Sequence, residues 1–150
     1  MVNIRVATIE DFDNIYALYN KESYLVGPVM PFAIRERISL SECIVAEEDG
    51  IFLGVCNFHM LKKSEMTTIY EIAVCSEHRR KGVATKLVNH ILETYKRPIT
   101  VKCIKDSPSE KFWKSVGTFL REEPSRKQSV CVYQIGKGVQ LRRGLLDGLV

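Results

Sequence analysis

The run Arg79-Arg80-Lys81-Gly82-Val83-Ala84 holds the residue types needed to seat a phosphate-bearing ligand. Three consecutive cations lead into a glycine. An amphipathic segment follows, with Ala84, Leu87, Val88, Ile91, Leu92 and Tyr95 at helical spacing. The first N–H groups of a helix have no partner inside it, and the positive end of its dipole lies there. Gly82 lacks a Cβ, so an anion can come close to the backbone. Three adjacent cations at that end oppose the dipole, which argues for an anion among them. The expected ligand therefore sits at the start of the helix, beside Gly82.

A turn of this kind needs a strand before it and a helix behind it. Thr67–Val74 supplies the strand, including the apolar run Ile69-Tyr70-Glu71-Ile72-Ala73-Val74, and the helix is expected over 82–95, ended by Arg97-Pro98. Upstream, Val2–Ala7 alternates as a strand. Thr8-Ile9-Glu10-Asp11 resembles a capping box, opening a helix with Phe12, Ile15, Tyr16 and Tyr19 that runs to about Lys21. Gly27, Pro28 and Pro31 break the pattern, and a short helix is expected over Ala33–Leu40. Strands Cys43–Glu47 and Ile51–Met60 flank Asp49-Gly50, a hairpin signal. Downstream come a strand at Ile99–Ile104 and a helix from Pro108 with Phe112, Trp113 and Val116, stopped at Gly117. Thr118–Arg121 and Val130–Ile135 form a last hairpin. Hairpin-linked and helix-linked strands together predict a mixed sheet in an α/β (α+β) domain over 1–135. The tail 136–150 shows no core pattern and is expected to be mobile or appended.

Composition is that of one ordinary globular domain: 150 residues, 45% hydrophobic and 27% charged. No apolar run approaches a membrane span and the N-terminus does not read as a signal peptide, so a cytoplasmic protein is expected. Cys43, Cys56, Cys75, Cys103 and Cys131 are odd in number and widely spaced, which suits buried thiols better than disulfides or a metal site. The net charge of +4 divides evenly: the tail carries +2, and the other 135 residues hold 19 basic against 17 acidic groups. Much of that body's positive charge lies between Arg79 and Lys86, leaving little for a nucleic-acid face.

Over residues 2–135 the chain resembles the GNAT acetyltransferase superfamily. Its acetyl-CoA signature Q/R-x-x-G-x-G/A is met by Arg79, Gly82 and Ala84, between the fourth strand and the following helix. A late family motif, N-x-x-A-x-x-F-Y-x-x-x-G-F, is matched by Phe112 and Gly117. Asp106, Ser109, Trp113 and Thr118 depart from it. The resemblance implies six or seven mostly antiparallel strands, a splay between strands 4 and 5, and about four flanking helices. It also implies acetyl-CoA as co-substrate, with no metal. Backbone N–H groups from Arg79 to Thr85, including Val83 and Ala84, would cradle the pyrophosphate, with charge added by Arg79, Arg80 or Lys81. The backbone of Ile72, Ala73 and Val74 would bind the pantetheine arm, and an N–H near Val74 would polarise the thioester.

The reaction implied is direct acetyl transfer to a primary amine of a small molecule or protein. Glu71 is the first candidate for the base, since a carboxylate in an apolar strand has a raised pKa; it could instead orient substrate or pair with a lysine. His59 on the neighbouring strand is the alternative. Trp113 stands where many relatives carry a tyrosine acid, and an indole N–H cannot protonate a thiolate, which leaves it a packing or hydrogen-bonding role. Water or Tyr133 would then supply the proton. Segment 21–40, with Glu22, Tyr24, Glu36 and Arg37, and the loop between the last two strands would face the acceptor. A monomer or homodimer is expected. Two rival readings stand beside the enzyme: a non-catalytic acyl-CoA-binding sensor or interaction module, and a nucleobase-modifying acyltransferase.

Overall fold

Local sequence decides most of the element boundaries. In the computed structural model, which describes residues 1–79 and 81–136, Asp49 and Gly50 both take left-handed backbone (φ 52° and 78°). That is the conformation a tight hairpin turn requires. It joins β2 (Cys43–Glu48) to β3 (Ile51–Met60). Before them come β1 (Asn3–Val6), a 3-10 turn (Ile9–Asp11), α1 (Phe12–Lys21), α2 (Ser23–Val26) and α3 (Pro31–Ser39). After them come β4 (Thr67–Val74), a 3-10 turn (Ser76–His78), α4 (Val83–Tyr95), β5 (Ile99–Ile104), α5 (Pro108–Val116), β6 (Thr118–Glu123) and β7 (Val130–Ile135).

Several bounds differ from expectation: β1 is shorter than Val2–Ala7, β2 and β6 run on to Glu48 and Glu123, and a 3-10 turn at Ile9–Asp11 precedes the first helix. The third helix begins at Pro31 rather than Ala33, because proline suits the first helical position. The single turn α2 was not anticipated, since four residues are too few to show a period. The tail beyond Gly136 lies outside the described residues.

The seven strands form one sheet in the order β1-β2-β3-β4-β5-β7-β6. Every pairing is antiparallel except β4 with β5. Alternation along the strands sends side chains to two cores. Ile44, Cys56, Ile72 and Val74 pack with α4 and α5 on one face. Cys43, Val45, Val55 and Ala73 pack with α1 and α3 on the other. All five cysteines are free, and all but Cys75 are buried.

Two irregularities shape β4. Glu71 lies opposite Asn57, but Ile69 lies opposite Phe58, so Tyr70 is an extra residue in a bulge. The parallel pairing to β5 covers Thr67, Thr68 and Ile69 and then stops. Beyond Ile69 the two strands part, as the family resemblance implies.

Candidate active site

Where β4 and β5 separate, a cavity of about 260 Å³ opens. Glu71 and Ile72 form one wall, Cys103 and Ile104 the other, with Trp113 from α5 and Gly27 from the segment after α2. Past Ile69, the edge of β4 that faces away from β3 has no strand partner among the described residues. Ile72, Ala73 and Val74 therefore lie on an edge with no neighbouring strand, which an extended ligand can pair with, although the Val74 carbonyl already accepts from Arg79 Nε.

The same strand leads to the turn before α4. Gly82 caps that helix in left-handed backbone (φ 77°, ψ 17°), a conformation that penalises any side chain. Val83, Ala84 and Thr85 make the first turn behind it, all buried. Thr85 has a hydroxyl with no hydrogen-bond partner among the described residues, so this turn holds an unspent polar group beside helix-start N–H groups. Lys81 is exposed, its Nζ 3.3 Å from His78 Nδ1. Arg80 lies outside the described residues. Arg79 turns inward: Nη2 is 2.7 Å from Glu22 Oε2, and Nε donates to the Val74 carbonyl at 3.3 Å. Of the three cations expected to face phosphate, Arg79 has its charge met within the protein.

The bulge puts Glu71 on the face that carries α1 and α3, half-buried at the cavity wall. Burial pushes its carboxyl above the usual carboxylate range, while Asn57 and the Arg37 charge hold it down. Asn57 is buried directly across from it, with neither amide atom completing a hydrogen bond of good geometry. The buried Tyr19 hydroxyl donates a long bond, 3.5 Å, to the Glu71 carbonyl.

His59 sits two residues along β3 from Asn57, hence on the same face. Its Nδ1 lies 2.9 Å and 3.1 Å from the two oxygens of buried Glu42. Arg37 Nη1 lies 3.2 Å from the same Nδ1, but the Glu42 oxygens are nearer and a carboxylate only accepts, which favours the tautomer with the proton on Nδ1. Arg37 Nη1 donates to Glu42 Oε1 at 2.6 Å, and the Met60 N–H donates to Oε2 at 2.9 Å. Tyr70 stacks on His59 with ring centroids 6.3 Å apart, and the Arg37 guanidinium lies 5.4 Å from the Tyr70 ring. Glu42, Asn57 and Tyr19 were not singled out in the sequence. A lone amide in the apolar run from Leu53 to Phe58 was the available signal for Asn57.

On the far wall Trp113 is 2% exposed and packs edge-on against Phe112 at 4.6 Å. Tyr133 is also buried, and its hydroxyl donates to Glu110 Oε2 at 2.8 Å. Burial, followed by that carboxylate, pushes the phenol above its ordinary value. The structure thus brings Glu71, Ile72 and Trp113 to one cavity, sets His59 behind Tyr70, and commits the Tyr133 hydroxyl to Glu110.

No group of three metal-ligating side chains occurs among the described residues, and no described helix is long and apolar enough to cross a membrane. The family model described as Acetyltransferase (GNAT) family matches residues 9–117. No curated protein matches in sequence. Among solved structures, the chain is similar to a GNAT-family acetyltransferase from Bacillus cereus, with 19% identity and a TM-score of 0.73, covering 91% of this chain and 98% of that one. It is similar to yncA from Salmonella typhimurium, solved with its cofactor acetyl-CoA, with 15% identity and a TM-score of 0.68, covering 91% and 94%. The ribosomal-protein-S18-alanine N-acetyltransferase from Escherichia coli matches with 10% identity and a TM-score of 0.74, again covering 91% and 94%. With the splayed sheet, the glycine-capped helix and a family match over most of its length, the chain belongs to the GNAT acetyltransferase family.

Proposed function

We propose that this protein is an acetyl-CoA-dependent N-acetyltransferase acting on a primary amine of a small molecule or protein. The observation that carries the reading is the placement of Glu71 at the wall of the cavity between the splayed strands, on the strand that leads to the Gly82 turn. The residues suit the donor: Gly82 and the first turn of α4 for pyrophosphate, Thr85 with its unspent hydroxyl beside them, and the edge of Ile72–Val74 for the pantetheine amides. A structural neighbour solved with acetyl-CoA, and another solved with coenzyme A, support the same assignment.

When bound, acetyl-CoA supplies an acyl thioester already activated for transfer. Glu71 takes a proton from the acceptor ammonium, so that the amine can attack the carbonyl carbon. The Val74 region offers an N–H to the carbonyl oxygen. As the C–N bond forms and the C–S bond breaks, the attacking nitrogen would shed its second proton to water and the departing thiolate would take one from water, since an indole N–H cannot protonate it and the Tyr133 hydroxyl is hydrogen-bonded to Glu110. His59, fixed by Glu42, is the alternative base. A cytoplasmic monomer or homodimer is the proposed form, and the modest body charge argues against nucleic acid as acceptor.

The test is calorimetric titration with acetyl-CoA, followed by CoA release with a panel of amines, peptides and nucleosides. Binding with turnover on an amine supports the enzyme. Binding without turnover on any member favours a non-catalytic acyl-CoA-binding module, the reading that Trp113 favours. Absence of binding defeats both.

A further inference from the structure

Two ion pairs of alternating sign join the end of α1 to the segment before α4. Lys21 Nζ is 3.6 Å from Glu77 Oε1 at the surface, and beneath it Glu22 Oε2 is 2.7 Å from Arg79 Nη2. The inner pair is well enclosed: the Glu22 side chain is 3% exposed and that of Arg79 is 17% exposed. Arg79 is held a second time, through Nε on the carbonyl of Val74. Freeing Arg79 for a phosphate would leave the Glu22 carboxylate buried without its cation, a strongly opposed change. Moreover, the Glu22 carbonyl accepts from Val26 N–H and the Ser23 carbonyl from Gly27 N–H, so α2 is built directly on the residue that Arg79 holds. Val26 and Gly27 then line the cavity that Glu71 also lines.

We propose that Arg79, although it opens the donor-binding turn, is a positioning residue for the acceptor side: it pins the α1–α2 corner through Glu22, and leaves phosphate to the backbone of Gly82–Thr85 and to neighbouring cations. This rests on the acetyl-CoA reading above. It assigns the first residue of the signature a task at the cavity wall, and makes Val26 and Gly27 there depend on a residue far along the chain.

The test uses the full chain with Glu22→Gln, Arg79→Met, Arg79→Lys and the double variant E22Q/R79M, which replaces the pair by neutral groups of similar length and keeps the fold testable if a single variant does not fold. Amide hydrogen exchange is read over 22–30 without ligand, and acetyl-CoA affinity is read at low and high salt. Exchange over 23–27 should quicken at least about tenfold in E22Q, in R79M and in the double variant, with the second substitution adding little to the first. Arg79→Lys should recover most of the protection. Acetyl-CoA affinity should stay within about threefold of wild type in the double variant, with an unchanged salt dependence. A loss of about thirtyfold or more in R79M, with a flatter salt response and unaltered exchange over 23–27, would overturn the proposal. So would tighter acetyl-CoA binding in E22Q, the sign of an Arg79 released onto phosphate. Failure of the wild type itself to bind acetyl-CoA would remove the donor reading and this division of labour with it, and that failure is visible before any variant is made.

Discussion

Asn57 stands directly across from Glu71, and the ladder slips by one residue just beyond them, where Phe58 meets Ile69. The slip reverses the side on which Glu71 would otherwise emerge. Ile69 keeps its place in the core beneath α4, while Glu71 is delivered to the opposite face, beside a buried amide. A bulge thus converts a position of core parity into one that can do proton chemistry.

Glu71→Gln should lower turnover by about 10²- to 10⁴-fold, the usual weight of a general base, while leaving acetyl-CoA affinity unchanged. A base works ionised, so wild-type kcat/KM should rise with pH through a pKa above the ordinary carboxylate range, as burial dictates. Asn57→Leu removes a group that holds that pKa down, and should move this limb to still higher pH. A pH–rate profile of the three proteins checks both points.

Gly82→Ala forces a Cβ into left-handed backbone at φ 77°, at a cost of about 1–2 kcal/mol. It also crowds the turn where phosphate is proposed to sit. Urea unfolding should report the first effect and calorimetry a weaker acetyl-CoA complex. An unchanged affinity would place the donor elsewhere.

Glu42 neutralises Arg37 and fixes His59 in a buried setting. Glu42→Ala strands the Arg37 charge and should cost about 3–5 kcal/mol in urea unfolding. R37M/E42L removes both charges and should recover most of that loss. Tyr70 would lose its ordered neighbours in either case, so the acceptor KM should rise in both.

Arg5 donates to both oxygens of Asp11, at 2.8 and 2.9 Å, and holds that carboxyl below its usual range. The folded pKa is depressed, so the stabilisation is complete above the unfolded value near pH 4 and is lost as pH falls through the folded value. Asp11→Asn should therefore be about 1–2 kcal/mol less stable than wild type at pH 7, and the two stability curves should converge as pH falls below the depressed folded value. Thermal unfolding across that range measures the convergence.

Features set by neighbours in sequence were legible from the chain itself. Asp49-Gly50 announces its hairpin, Gly82 its helix start and Pro108 its first turn, whereas Pro31 reads as a break in the pattern and in fact opens its helix. The mixed sheet follows from hairpin-linked strands beside helix-linked ones, but the insertion of β7 between β5 and β6 has no local signal. The splay was implied by resemblance, and no local pattern of residues announces where parallel pairing will stop. Pairings across the fold were harder to see. Nothing in the residues around Glu22 marks it as the partner of Arg79, and Glu42 looks like any acid at a strand start until β3 brings His59 beside it. The bulge at Tyr70 is invisible for the same reason, because it belongs to the register of two strands together. Arg79 shows the limit most clearly: its motif position suggests a phosphate contact, and its charge is met by a helix that the motif does not contain.

Three residue pairs tie β4 to β5. In the hydrogen-bonded plane the protein is thus two plates, β1–β4 and β5–β7, welded at one end and open along the rest. A co-substrate threaded into the opening would complete the missing rungs and become, for the length of a turnover, part of the sheet. Letting go of the spent CoA would then mean breaking secondary structure, so the width of this seam would set the pace at which the protein resets.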